Sequence, residues 1–446
     1  MNLKPQLIDM IRTVPEVAVR LWCGGKVFPH DAGVRIEYEG VMTQVSVEAY
    51  TAADEVSKIL GIRWGGRMLR SVQDVLELRH AAEDAYLENL FHQTDVPKAL
   101  FVPAGVTASG YYRAMIPSDL AYEGGKVISH WTSSVDLSKV MRYDILWVQL
   151  ITSAVLIAII KMAKTQGVKI VFDIDDRLDS IPAENQASAV YGEAGKQAEL
   201  REMIKLADLV TVSTEPLGKY ILENMGAKRV KVLPNQLTAN VAPRRHPPNS
   251  AYTRILWAGS PTHKRDLAIV APAIRNLLKK YNGKLRFTCF GERLPEALAD
   301  CYNWIDLKDP VDFDQYHDAI ATIAADFGIA PLEANPFNES KSAIKALEYA
   351  SAGYPMLLSP VGEYPVICKA GFPAELVEND GWEAAIDRMI GMSREQRDDL
   401  GKRGMKWVLE NRCIGTSKAS QWADTITEVA AYPREEVEES RLKLVT

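Results

Sequence analysis

Residues 331–355 read PLEANPFNESKSAIKALEYASAGYP, and the rest of the chain is organised around them. The stretch opens at the end of an apolar run, 323–332, which reads as a buried strand. A polar turn with Pro and two Asn follows over 333–340. Residues 342–352 are dense in good helix formers, and Gly353 with Pro355 stops them. Ile344, Leu347 and the Ala350/Ser351 pair fall on one helical face; Lys341, Lys345 and Glu348 fall near another. Strand, turn and helix in this order leave free backbone N–H groups at the helix start, beside Ser340, Lys341 and Ser342. That is a place suited to phosphate. Glu348, two turns along, lies too far in to cap the helix, but its carboxylate can accept two hydrogen bonds from a vicinal diol such as a ribose.

With 446 residues the chain has room for two or three domains, and 47% hydrophobic residues is ordinary for full cores. Fifty-two basic against 58 acidic side chains give a net charge of -6, which speaks against general nucleic-acid binding. The five Cys, at 23, 289, 301, 368 and 413, are scattered and lack metal-ligand spacing, which fits a reduced, cytoplasmic setting. The opening MNLKPQLIDMIRTV carries an acid in its apolar run and does not read as a signal peptide.

The stretch 338–355 resembles the nucleotide-sugar site of retaining group 1 glycosyltransferases of the GT-B fold. That family carries two Glu with seven residues between them, the second opening a run that ends Gly-x-Pro. Here the second is Glu348, in LEYASAGYP, while Ser340 stands at the first position. In the family the first Glu touches the donor sugar, so Ser340 is a departure. The form with FN, KS and K ahead of LEY resembles a subgroup of bacterial and phage proteins. The resemblance runs from about residue 99 to 431 and implies an α/β protein of GT-B architecture, two facing Rossmann-like domains behind a small α+β N-terminal extension.

The boundaries expected are 1–97 for the extension, 98–238 for the first, acceptor-side domain and 239–252 for a Pro- and Arg-rich linker. The nucleotide-sugar domain covers 253–412, and 413–446 supplies a helix crossing back to the first domain and a charged tail. In the extension, 17–22, 33–38 and 42–50 read as strands, and 52–60 and 67–92 as helices. It packs, oligomerises, or contacts a partner, an acceptor or a membrane surface.

In the first domain a strand at 99–103 runs into a glycine-bearing turn and a helix from about Tyr111. The resemblance places Gly110, Tyr112 and Arg113 in the cleft; a surface ion pair is the alternative for Arg113. His130 is either a cleft residue near the donor sugar or a structural histidine. Residues 145–163 are apolar enough to be tested as a membrane span, but Gln149, Thr152, Ser153 and Lys161 interrupt them, and a strand followed by a helix explains them better. After the strand 169–172 come Asp173, Asp175 and Asp176, acids at a strand's carboxyl end. They can hold Mg²⁺, line the cleft without a metal as the resemblance implies, or cap the next helix beside Arg177.

In the second domain a strand ends at Gly259 and the turn SPTHKRD follows. The resemblance implies that Gly259 and Lys264 or Arg265 hold the diphosphate, with His263 a further donor. Lys341, Ser340 and Ser342 with backbone amides would grip the same group, Asn338 and Lys345 would flank it, Glu348 would hold the ribose, and Arg113 with Asp175 or Asp176 would face the acceptor. The expected activity is transfer of a sugar, with retention and without a metal or a cofactor beyond the nucleotide-diphosphate sugar, to a glycan, lipid-linked or protein acceptor. The alternatives are an epimerase or sugar phosphorylase on the same fold, or a carbohydrate-binding or structural protein that kept it.

Overall fold

The computed structural model describes three strands between residues 26 and 45, and then 95–238, 252–414 and 420–433, apart from residues 106, 124, 125, 134, 186, 293 and 312. The chain divides into two compact units, 1–95 and 96–446. In the first unit β1 (Lys26–His30), β2 (Gly33–Tyr38) and β3 (Val41–Val45) form an antiparallel sheet in that order. β2 is the strand expected at 33–38, and β3 covers the start of the one expected at 42–50. The strand expected at 17–22 and the helices at 52–60 and 67–92 lie outside the described residues.

The second unit holds two parallel sheets. In the first lobe β4 (Lys98–Val102), β5 (Ile128–Trp131), β6 (Ile145–Gln149), β7 (Lys169–Ile174), β8 (Leu209–Val212) and β9 (Val230–Val232) stand in the order β5-β4-β6-β7-β8-β9. A two-residue strand, β10 (Leu237–Thr238), follows. In the second lobe β11 (Thr253–Ala258), β12 (Leu285–Phe290), β13 (Ile305–Lys308), β14 (Phe327–Ala330), β15 (Met356–Leu358) and β16 (Glu375–Leu376) stand in the order β13-β12-β11-β14-β15-β16. The central strands are mostly apolar, as in ILWV, and are buried throughout. Parallel strands covered by helices on both faces require that composition. The order reverses between β4 and β6 in one lobe and between β11 and β14 in the other. The carboxyl ends of strands at such a reversal leave a crevice, and the two crevices face each other.

Two crossings tie the lobes. β10 pairs in parallel with β17 (Cys413–Ile414), and Leu237 N donates to Arg412 O at 2.8 Å. The final helix, Ser420–Ala430, then packs on the first lobe: Trp422, Ala423, Ile426 and Val429 join Ala99, Phe101 and Trp147 in one core. Trp147 stacks on Phe101 at 4.8 Å and meets Trp422 at 5.4 Å. Residues 145–163 divide into β6 and the helix Ala154–Thr165, which Ser153 caps. Among the described residues no helix is long and apolar enough to cross a membrane. The linker expected at 239–252, except Tyr252, and the tail from 434 lie outside the described residues.

Candidate active site

A cleft of about 420 Å³ runs between the lobes, lined from both. Its floor on the second lobe is two glycines. Gly259 N donates to Phe290 O at 3.0 Å, and a Cβ on Gly259 would lie 2.7 Å from the Trp257 ring. Gly291 has φ +91°, and a Cβ there would lie 2.7 Å from Gly259 O. Only glycine fits either position, so backbone is open to a ligand here. Beside this floor Phe290 and Tyr316 stack at 5.8 Å with planes 10° apart, next to Pro310 and Val311. The result is a flat apolar slot.

The wall is the helix Ile344–Ser351. It begins two residues later than the sequence predicts, so Glu348 lies one turn in rather than two. At helical spacing Ile344, Lys345 and Glu348 share the cleft face. Glu348 is buried, and each oxygen has a partner: Tyr112 Oη donates to Oε1 at 3.1 Å, and Lys345 Nζ to Oε2 at 3.1 Å. Lys345 also donates to Tyr316 Oη at 2.7 Å. The Tyr316 hydroxyl hydrogen-bonds this carboxylate as well, and of a carboxylate's about four lone-pair sites roughly one remains for a ribose hydroxyl. Burial and the Glu348 charge push the Tyr112 phenol well above its ordinary range, so it stays a donor.

The turn ahead of the helix supplies a cation, Lys341. Lys341 N donates to Asn338 O and Lys341 O accepts from Glu363 N, which pins its backbone. Its ammonium lies 3.4 Å from Asp176 Oδ1 of the first lobe and 4.4 Å over the Phe337 ring. Ala343 N donates to Glu363 Oε2 at 2.8 Å. The next amides, at the helix start among cleft-lining residues, have no intrahelical acceptor by geometry. His263 lines the cleft with Nδ1 2.7 Å from Asp266 Oδ2. Burial lowers its pKa against the pull of Asp266, and the Lys341 and Lys345 charges lower it further. Asp266 is fixed in turn by Glu333 N and Asn338 Nδ2, both at 2.8 Å.

On the first lobe a relay crosses three strand ends. Ala104 N donates to Gln149 Oε1 at 2.9 Å, Gln149 Nε2 to Ser109 Oγ at 2.8 Å, and Ser109 Oγ to Asp175 Oδ2. Asp175 Oδ1 is buried with no hydrogen-bond partner, in a residue that lines the cleft. Burial, then the adjacent Asp176 charge, pushes this carboxyl up to about 6. Leu150, with φ 56°, turns the chain after β6 and donates its N–H to Asp173 O at 3.0 Å. A non-glycine residue in that region is a strained turn beside a crevice.

Of the residues singled out from sequence, Tyr112, Gly259, His263, Lys341, Ser342, Lys345, Glu348, Asp175 and Asp176 line the cleft. The others stand elsewhere. Arg113 is fully buried and faces away, gripping Asp173 at 3.0 and 2.6 Å and Asn235 at 3.0 Å, with its guanidinium over Trp422. Asp173 is equally buried and also accepts from Thr211 Oγ1 at 2.7 Å. Gly110 lies behind the turn, where a Cβ would lie 2.2 Å from Gly105 O. His130 is buried in the edge strand β5 and does not line the cleft. Lys264 and Arg265 are exposed and border a separate notch of about 230 Å³, where Arg265 pairs with Glu184 and Glu333. Asn338 is buried on Asp266 and Glu333 O, at 2.8 and 3.0 Å. Ser340 is 3% exposed, its carbonyl accepting from Thr214 Oγ1 at 2.8 Å across the lobes. Asn235, unassigned from sequence, bridges Arg113 to Ser342 Oγ at 2.9 Å; its place in VLPN, where the chain leaves the first lobe, was the available signal. Among the described residues no group of three His, Cys, Asp or Glu side chains is arranged to hold a metal ion.

No protein-family model matches this chain, and no curated protein sequence does. Solved structures are similar to it. A sucrose-phosphate synthase from Thermosynechococcus elongatus has a TM-score of 0.55 at 12% identity, over 75% of this chain and 99% of that one. HepE of Anabaena, solved with UDP and glucose, has a TM-score of 0.54 at 14% identity, over 74% and 99%. A glycosyltransferase from Rickettsia africae has a TM-score of 0.53 at 14% identity, over 76% and 100%. At these identities the likeness is one of fold: the chain has GT-B architecture.

Proposed function

We propose that this protein is a glycosyltransferase that moves a sugar from a nucleotide-diphosphate-sugar donor to an acceptor hydroxyl. One observation carries the reading. Glu348 sits one turn into a helix at the strand reversal, with Lys345 beside it, a flat aromatic slot on one side and the first-lobe acids opposite. Under this reading the slot of Phe290 and Tyr316 takes the base and Glu348 takes the ribose. Lys341, Lys345, His263, Ser342 and the first helix amides take the diphosphate. HepE, of similar fold, is described in complex with UDP-glucose, which supports a donor of this kind.

The chemistry is mainly placement and charge. The bond from the anomeric carbon to the phosphate oxygen breaks, the bond to the acceptor oxygen forms on the same face, and the leaving phosphate takes the acceptor's proton. The leaving group gains negative charge, and fixed ammonium groups and amides stabilise it there. Asp175 and Asp176 face the acceptor. The reading includes retention, a hexosyl donor, no metal and no cofactor beyond the donor, and a cytoplasmic supply of it. It leaves glycan, lipid-linked and protein acceptors open, and any partner contact through residues 1–97.

The test is calorimetric titration with UDP-, GDP- and ADP-sugars, for the native chain and for Glu348→Ala, with thermal melting as a fold control. One series should bind the native protein, and the variant should bind it at least about tenfold more weakly. Equal affinities would remove the ribose role; no binding in any series would remove the reading. The anomeric proton coupling of a product decides retention. A second reading, a nucleotide-sugar-binding protein without turnover, is favoured by Ser340, which is buried away from the cleft. Release of nucleoside diphosphate only when an acceptor is present excludes it.

A further inference from the structure

We propose that Asp176 is a positioning residue for Lys341: it holds the ammonium of Lys341 across the open cleft as a stand-in anion, and the donor's diphosphate takes that ammonium over when it binds. This rests on the assignment of Lys341 to the diphosphate. The three basic side chains of the cleft differ in how they are held. Lys345 is 3.1 Å from Glu348 on its own helix and 2.7 Å from Tyr316. His263 is fixed by Asp266, three residues on. Lys341 alone of these pairs with the opposite lobe, at 3.4 Å, a longer contact than the other two.

The geometry suits a hand-over. The backbone of Lys341 is pinned on both sides by Asn338 O and Glu363 N, so its Cα cannot follow a ligand. Among the described residues its side chain is held by Asp176 and by the Phe337 face, 4.4 Å from the ammonium. Rotation about side-chain bonds is enough to exchange one anion for another. Asp176 is about one-third exposed, so leaving it without a cation costs little, because water can solvate it. A diphosphate presents more charge than one carboxylate and wins the exchange. Donor binding then does two things at once: it loosens one tie between the lobes, and it leaves Asp176 on the acceptor side without its ammonium partner.

Competition has a signature that a structural role lacks. Removing the competitor must tighten donor binding, and only while Lys341 is present. Titration of UDP, GDP and ADP would be run on four full-length chains: native, Asp176→Asn, Lys341→Gln and the double variant. For whichever nucleotide binds, Asp176→Asn should tighten it about threefold to tenfold and Lys341→Gln should weaken it about tenfold. In the Lys341→Gln background, Asp176→Asn should change affinity by less than about twofold. An equal gain in both backgrounds would mean general repulsion between Asp176 and phosphate and would overturn the proposal. So would a loss or no change with Asp176→Asn alone. Absence of binding by all three nucleotides to the native chain would instead overturn the donor-site reading beneath it.

Discussion

Tyr112 of the first lobe donates its phenol hydrogen to Glu348 of the second, with 3.1 Å between the oxygens. The phenol has one hydrogen, so its contact with His317 Nε2 at 2.8 Å requires His317 to carry the Nε2 proton and to donate. The chain of donors therefore runs from His317 through Tyr112 to the carboxylate. Tyr112→Phe removes a buried bond to a charged group and leaves His317 Nε2 without that acceptor. The expected loss is about 1–3 kcal/mol of stability, read by urea denaturation. Glu348 keeps Lys345, so nucleotide affinity should fall less than in Glu348→Ala. A variant as stable as the native protein would show that this bond does not hold the lobes.

Gly362 stands directly behind the Lys341 turn. It has φ +63°, and a Cβ there would lie 2.8 Å from both Asn338 O and Lys341 O. Both neighbours are backbone, so neither can rotate aside. Gly362→Ala should cost about 2 kcal/mol or more, from the strained conformation and the clash together. It should also weaken nucleotide binding by shifting Lys341, although residue 362 does not line the cleft. Chemical denaturation and nucleotide titration on the same preparation check both. A destabilised variant with native affinity would separate the turn from the site.

Asp175 makes stability depend on pH with a defined sign. Burial first, and the Asp176 charge second, raise its carboxyl from 3.8 to about 6. Between those values the folded protein holds a proton that the unfolded chain has released. The favourable contribution is complete below about 3.8 and is lost as pH rises through about 6. Asp175→Asn removes this dependence. Relative to the variant, the native protein should lose up to about 3 kcal/mol between pH 4 and pH 7.5, measured by denaturant titration at each pH. Parallel stability curves for the two proteins would contradict the burial of this charge.

The two-lobed fold was legible because its signals are local: mostly apolar runs, turns at their carboxyl ends, and helices stopped by residues such as Gly353 and Pro355. The helix bearing Lys345 and Glu348 was legible for the same reason. What could not be read was the angle at which a side chain leaves its element. Tyr112 and Arg113 are neighbours, but the chain makes one turn of π-helix over Tyr111–Met115. Tyr112 reaches the cleft and Arg113 turns into the core, and no spacing in the sequence marks that widened turn. The aromatic slot joins Phe290 at a strand end to Tyr316 on a later helix. The signal for it was faint, an aromatic residue immediately before Gly291.

The turn SPTHKRD shows the same limit and yields the last prediction. A short 3-10 turn, Pro261–His263, leads into the helix Lys264–Tyr281. The junction falls between His263 and Lys264, so the imidazole enters the cleft and the next two cations point outside it. Arg265 is already neutralised by Glu184 and Glu333 at the exposed rim, where ion pairs contribute little. Replacing Lys264 and Arg265 together by Ala should leave nucleotide affinity within about twofold of native, since screened rim charges act weakly on a ligand in the cleft. His263→Ala should weaken binding several-fold and leave Asp266 its bonds from Glu333 N and Asn338. The opposite ranking, with the double variant much the weaker binder, would return the diphosphate to the rim cations and require the cleft to be occupied in a different orientation.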